Sequence, residues 1–381
     1  MSKEKTVKQA CFLCTTSFQI WGAVAFQLAN RWKADILVFD DLNGYREIAE
    51  GLRQTGLFEE VIPVPFYGSL KGKNRRSAIA ARMLTAGSYT DKLVDSRTAY
   101  ERLYTSSAAV SKTVVIRGLS KRLDRAGIVV YDDGLGSYSE KGRIRTGSAR
   151  FRKLKKMLGW EEPLEHPEKI MLYEPELYHA TEGIPVERMP KIVLTSESKA
   201  LLRTIFGESE EELLVEQQVM LFDTFRLPDP KEEIVTLDRV FEQIAEICGN
   251  DNVILKEHPR SLAHSTVGVP RFSRAEVPME LIYAHQEDLS DRILVGLNST
   301  ALFTPRMLFD AEPYLILLYR MTSQDPAVRE KRDAYLGKMT GMYRDGSRVA
   351  IPETPEELEQ VLTRWLRKTD ETAAGSGEGP A

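Results

Sequence analysis

Short apolar runs alternate with stretches of helical spacing along most of this chain. Ala10 to Cys14 reads as a short buried strand, followed by a helix capped near Thr16 or Ser17. Ile36-Leu37-Val38-Phe39 reads as a second strand, Gly44 to Gln54 as a helix, and Val61-Ile62-Pro63-Val64 as a third strand. This strand-helix-strand rhythm is that of βαβ units and predicts a parallel sheet. A long helical stretch around Ala108 to Ala126 then leads into a strand that ends at Tyr131.

The segment from His179 to Pro190 lacks apolar periodicity and contains Gly183, Pro185 and Pro190, which places an interdomain linker there. The rhythm then restarts. Lys191 to Leu194 and Val219 to Phe222 read as strands, Ile234 to Cys248 as a helix, and Asn252 to Lys256, Arg292 to Val295 and Tyr314 to Leu318 as further strands. Pro355 to Lys368 has helical spacing, with Leu358, Val361, Leu362 and Trp365 on one stripe expected to pack back across the domain junction. The last dozen residues have the composition of a disordered tail. The expected organisation is a Rossmann-like domain over 1–185, a second over 190–354, a helix over 355–368 and a tail over 369–381. Two similar α/β halves facing across a cleft form the GT-B architecture of nucleotide-sugar enzymes.

Composition narrows the class. The 381 residues are 42% hydrophobic and 28% charged with a net charge of -4, enough for two ordinary cores and without the basic field of a nucleic-acid binder. Three cysteines, Cys11, Cys14 and Cys248, are too few for a disulfide framework and fit a reducing compartment. Cys11 and Cys14 form a C-x-x-C, but it lies inside an apolar run with no second pair, and the five histidines show no zinc spacing. Gln9 to Asn30 carries no charge, follows lysines and includes Ala23-Val24-Ala25, as a secretory signal would. Thr15, Thr16, Ser17 and Gln19 sit where such a segment should be most apolar, which favours the buried strand and helix.

Candidate chemistry falls at predicted strand ends, where open parallel sheets bind their ligands. Asp132-Asp133-Gly134 follows Ile128 to Tyr131, and His258-Pro259 follows Val253 to Leu255. Each alone is most often a turn or a strand end. Together, one per half, they supply an acidic group and an imidazole, the two sides of a group transfer. Neighbouring residues leaving a strand point to opposite sides, so one of the two aspartates can reach a substrate while the other caps the loop of Gly134 to Gly136. Alternation puts Lys256 and His258 on one face, where both can meet one anion, with Arg260 as a further cation or a solvated surface residue. Asn298, Ser299 and Thr300 precede an apolar helix pattern, a phosphate site or plain helix capping, and Gly296 before them would permit close ligand approach.

Tyr-Asp-Asp-Gly at 131–134, Lys-Glu-His-Pro at 256–259 and Ser299-Thr300 resemble the acidic-Gly, His-Pro and paired-hydroxyl motifs of bacterial sialyltransferases, especially glycosyltransferase family 52. Cys14, Thr16 and Gln19 resemble its amino-terminal Cys-x-Thr-Pro-x-Gln pattern, with Ser17 in place of proline, and Glu257 stands where many relatives have glycine. The motifs span most of residues 10 to 310.

The resemblance implies a GT-B fold, CMP-sialic acid as donor, no metal and inversion at the anomeric carbon. It implies Asp132 as general base, with Thr16, Gln19, Asp133 and Gly134 on the acceptor side. It makes His258 the acid at the departing phosphate, Ser299 and Thr300 the phosphate holders with Asn298 and Lys256 beside them, and Glu280 the contact to cytidine. The chemistry agrees: a transition state with oxocarbenium character needs its leaving phosphate neutralised and its nucleophile deprotonated. No D-x-D triplet occurs, so Lys256, His258 and hydroxyl or amide donors would take the place of magnesium.

Other motifs are missing: there is no G-x-x-x-x-G-K-[ST], and Gly134-x-Gly136 lacks the third glycine of a dinucleotide fingerprint. Lys141 to Lys156 is strongly basic and precedes Trp160; it reads as a solvated face or as a surface attracted to anionic lipid or a phosphorylated glycolipid. The expected partners are therefore a CMP-sugar and a glycan or glycolipid of lipooligosaccharide or capsule type, with no nucleic acid. The expected place is the bacterial cytoplasm, with peripheral contact to the inner face of the membrane where the basic segment binds lipid. The oligomeric state stays open, a homodimer included. Three rivals remain: a relative with another CMP-linked ulosonic acid or a UDP-hexose as donor, a nucleotide-sugar epimerase, and a non-catalytic binding protein.

Overall fold

The computed structural model describes residues 6–70, 75–106, 109–120, 123–138, 167–178, 183–229, 231–323 and 325–375. The chain forms two compact units, Met1–Ser209 and Glu210–Ala381.

The first unit is built on a parallel sheet of β1 (Thr6–Cys14), β2 (Ala34–Phe39), β3 (Glu60–Val64), β4 (Thr98–Thr105), β5 (Leu123–Tyr131), β6 (Lys169–Leu172) and β7 (Val186–Arg188), in the order β3-β2-β1-β4-β5-β6-β7. The charge-free run of the sequence is its centre. Ala10 to Cys14 are fully buried in β1, and α1 (Ser17–Asn30) follows with Phe18 to Gln27 all buried. A helix covered on nearly every side has no polar face, which explains the absence of charge. Gly22 lets α1 approach the sheet: a Cβ there would lie 3.1 Å from the Tyr131 ring and 3.0 Å from Met189. Phe12, Phe26, Tyr104 and Tyr131 form an aromatic cluster beneath it.

The second unit carries a parallel sheet of β8 (Val219–Phe222), β9 (Val253–Lys256), β10 (Ile293–Gly296), β11 (Tyr314–Leu317) and β12 (Val349–Ala350), in the order β12-β11-β10-β8-β9. Every residue of β8 to β11 is buried, as expected of strands covered on both faces. Gly296 serves the sheet: a Cβ there would lie 3.0 Å from the carbonyl oxygen of Phe222 on β8. Its smallness is taken up by the neighbouring backbone, where the sequence suggested room for a ligand.

Several elements differ from expectation. The helical stretch over 108–126 is a helix only at Val110–Leu119, and β5 has begun by Leu123. The 179–190 segment contributes β7 to the sheet edge, whereas Lys191 to Leu194 form no strand and Val193 is largely exposed. The division between units falls at Ser209, so the helix Ser196–Phe206 belongs with the first unit. The C-terminal helix runs over Pro355–Gly375, beyond the expected start of a tail at 369. Its Leu358, Leu362 and Trp365 are buried, and Trp365 stacks on Tyr314 of β11 at 4.7 Å within its own unit. The basic segment 141–156 and Trp160 lie outside the described residues.

Candidate active site

Each sheet has a point where strand order reverses, the place at which open α/β sheets bind ligands. In the first sheet it lies between β1 and β4; in the second, between β8 and β10. Most of the sequence-predicted residues follow the carboxyl ends of strands in one unit or the other, and Glu280 lies instead in the first turn of a helix.

In the first unit the loop after β5 turns at Gly134, whose φ of +82° favours glycine. The two aspartates before it part company. Asp132 is fully buried. Its Oδ1 accepts from the Gly134 amide at 2.8 Å, and its Oδ2 accepts from the Tyr173 amide at 3.1 Å and from the Tyr138 hydroxyl. Burial outweighs these donors and pushes its carboxyl up to about 7. Asp133 is half-buried and belongs to another network. Its Oδ1 accepts from Gln19 Nε2 at 2.7 Å and from Thr16 Oγ1 at 3.1 Å, while its amide donates to Ser137 Oγ at 2.8 Å. Asp132 thus holds the loop, and Asp133 is the carboxylate with exposed surface.

The amino-terminal pattern has a physical reason at each position. Cys14 Sγ lies 3.3 Å from the Tyr131 hydroxyl, fastening β1 to β5. Thr16 caps α1 through the Gln19 amide. Gln19, fully buried, accepts from the Thr15 amide at 2.7 Å and donates to Asp133. Behind it stands Lys112, fully buried on the helix after β4, with Nζ 3.0 Å from Ser106 Oγ and 3.4 Å from Gln19 Oε1. Sequence reading missed Lys112. Its signal was a lysine inside the run Val110 to Ile116.

In the second unit His258 is half-buried after β9. Its Nδ1 accepts from the Arg260 amide at 3.2 Å, which leaves the ring proton of the neutral imidazole on Nε2. Burial, then the Arg260 charge, lowers its pKa. The Phe225 ring stands edge-on at 5.9 Å. Buried Arg226, also missed in the sequence, pairs bidentately with Asp238 at 2.7 and 2.8 Å and contacts Asp223, which follows β8. Ser265 closes the network onto Asp238 at 2.6 Å, so the loops after β8 and β9 are held as one piece.

Lys256 closes β9 and is buried. Its ammonium donates to the carbonyls of Ala275 at 2.7 Å and Arg274 at 3.1 Å, pinning the strand to the following loop. Glu257, on the opposite face, contacts His264 at 2.9 Å. Glu280 is buried at the start of the helix Met279–His285, and desolvation pushes its carboxyl up to about 7. Asn298 is exposed and Ser299 and Thr300 are half-buried after β10; Ser299 caps the short turn Thr300–Leu302 through the Ala301 amide at 3.3 Å. Among the described residues no cluster of three or more His, Cys, Asp or Glu side chains could hold a metal ion, and no helix is long and apolar enough to cross a membrane.

Two parallel-sheet units with polar groups at their strand ends make this a GT-B glycosyltransferase fold. The chain resembles the crystal structure of Arabidopsis thaliana UGT89C1 complexed with UDP-L-rhamnose, with a TM-score of 0.51 at 10% identity over 94% of this chain and 89% of that one. The glycotransferase of kitacinnamycin aligns with a TM-score of 0.49 at 9% identity, over 94% and 90% of the two chains. At these identities the likeness concerns the fold alone. The alpha-2,8-polysialyltransferase (POLYST) family profile matches residues 11–314, most of the chain, and the protein belongs to that family. Comparison with curated protein sequences gives no match.

Proposed function

We propose that this protein transfers sialic acid from CMP-sialic acid to a hydroxyl of a cell-surface glycan, with inversion and without a metal ion. The family name, alpha-2,8-polysialyltransferase, supports an acceptor that itself ends in sialic acid and is extended through an α2,8 linkage. The observation that carries the reading is the division of roles between the strand-end groups: a half-buried carboxylate, Asp133, in one unit and an Nε2-protonated imidazole, His258, in the other. In this mechanism Asp133 takes the acceptor hydroxyl proton, and Asp132 fixes the loop that presents it. His258 donates an Nε2–H hydrogen bond to the departing CMP phosphate, and Ser299 and Thr300 hold that phosphate. Glu280 contacts the cytosine ring. Hydrogen bonds that strengthen on the phosphate as the carbon-oxygen bond breaks stabilise the transition state more than the ground state, which is what raises turnover.

The relation to glycosyltransferase family 52 is a finer assignment of the same kind, supported by the Asp-Asp-Gly and His-Pro motifs. Thermal shift with CMP, UDP and GDP, followed by transfer from CMP-sialic acid to a sialylated oligosaccharide in the presence of EDTA, tests the proposal. Stabilisation by CMP above the other two and EDTA-resistant transfer are expected. Preference for UDP, or epimerisation without an acceptor, would replace it with a UDP-hexose transferase or an epimerase.

A further inference from the structure

Lys112 has no part in the mechanism above, yet a lysine without exposed surface is expensive to keep. It stands on the helix Val110–Leu119 after β4, next to β1 in the sheet, and reaches the inner side of the acceptor-side network. Its Nζ lies 3.0 Å from Ser106 Oγ and 3.4 Å from Gln19 Oε1. Gln19 Oε1 also accepts from the amide and hydroxyl of Thr15, at 2.7 and 3.1 Å. An amide oxygen surrounded by three donors cannot exchange places with its NH2 group, because a flip would set donor against donor. The Gln19 Nε2 is therefore directed at Asp133 Oδ1, 2.7 Å away, where Thr16 Oγ1 joins it at 3.1 Å. Both donors engage the same carboxylate oxygen, which turns Oδ2 to the other side.

We propose that Lys112 is a positioning residue: it locks the side-chain amide of Gln19, and through it orients the Asp133 carboxylate toward the acceptor hydroxyl. This rests on the reading of Asp133 as the base. Burial lowers the Lys112 pKa, while the Asp133 charge nearby acts in the opposite direction. A lysine serving only the fold would be replaceable by an apolar side chain of similar volume without effect on the reaction.

The test is Lys112→Met, read by melting temperature, CMP thermal shift and transfer kinetics. The expected result is an unchanged CMP shift, a melting temperature equal to or above wild type, and a kcat lower by about ten- to a hundredfold, the range for a misoriented catalytic group. Lys112→Met in a Gln19→Leu background should then cause no further loss, because both changes break one linkage. If Lys112→Met does not fold, Lys112→Gln, which keeps a donor for Ser106, is read in the same way. A folded variant with turnover within about twofold of wild type, or multiplicative losses in the double variant, overturns the proposal. Asp133→Asn measured in parallel separates the two ideas: full activity there removes the base, while loss there with an active Lys112→Met removes only the role of Lys112.

Discussion

Asp132 and Asp133 are neighbours in sequence and belong to different networks: one carboxylate is sealed beneath the loop by Gly134, Tyr138 and Tyr173, the other is gripped at one oxygen by Thr16 and Gln19. Alternation along the end of β5 produces this split. Two like groups then do unlike work. The sealed one organises backbone, and the half-buried one has an oxygen to offer a substrate.

Glu280 makes stability depend on pH. Its folded pKa of about 7 lies above the unfolded carboxylate value, so the folded state binds more protons between about pH 4.5 and 7. The stability it contributes is full below that window and is lost as pH rises through 7. Glu280→Gln, which resembles the protonated acid, should be more stable than wild type at pH 8 by about 1 to 3 kcal/mol, with a smaller difference at pH 5. Chemical denaturation at both pH values measures this. Equal differences at the two would contradict the assignment of a buried titrating group.

The Arg260 charge is one of two causes holding the His258 pKa down, the larger being burial. Arg260→Ala should move the imidazole titration to higher pH without restoring the ordinary value. The histidine ring resonances followed by NMR report the midpoint directly. A midpoint that stays in place or falls would show that Arg260 does not act on the ring.

Gly134 holds a φ that L residues adopt at a penalty. Gly134→Ala should lower stability by about 1 kcal/mol and reduce turnover by more than that loss explains, because the same turn carries Asp133. A melting curve and an activity assay on one preparation give both numbers; an active, fully stable variant would mean that the turn relaxes freely.

The second unit was readable because Val219–Phe222, Val253–Lys256, Ile293–Gly296 and Tyr314–Leu317 are short, nearly continuous apolar runs, the pattern of a strand buried on both faces. The first unit was less so. β4 lies between β1 and β5, yet its sequence contains Glu101 and Arg102, and Arg102 is satisfied by an ion pair with Glu168 that only the fold brings near. β7 is a three-residue edge strand with exposed Glu187 and Arg188, and it looks like linker. The loops bearing Asp132, Asp133, His258 and Ser299 could be placed at strand ends. Which aspartate is sealed, where the Lys256 ammonium is spent and how Lys112 and Arg226 are buried depend on partners distant in sequence, which local pattern does not contain.

The most direct measurement of the account is turnover and melting temperature for Asp132→Asn and Asp133→Asn, side by side. Asp133→Asn should fold as wild type does, bind CMP normally and lose transfer by at least about a hundredfold, the scale of a missing general base. Asp132→Asn sets an NH2 group against backbone or hydroxyl donors, so it should lose about 1 to 3 kcal/mol of stability and retain a larger share of its turnover. A stable but inactive Asp132→Asn beside an active Asp133→Asn would contradict the account and return the base to the sealed position; two fully active variants would remove the carboxylate from the mechanism altogether.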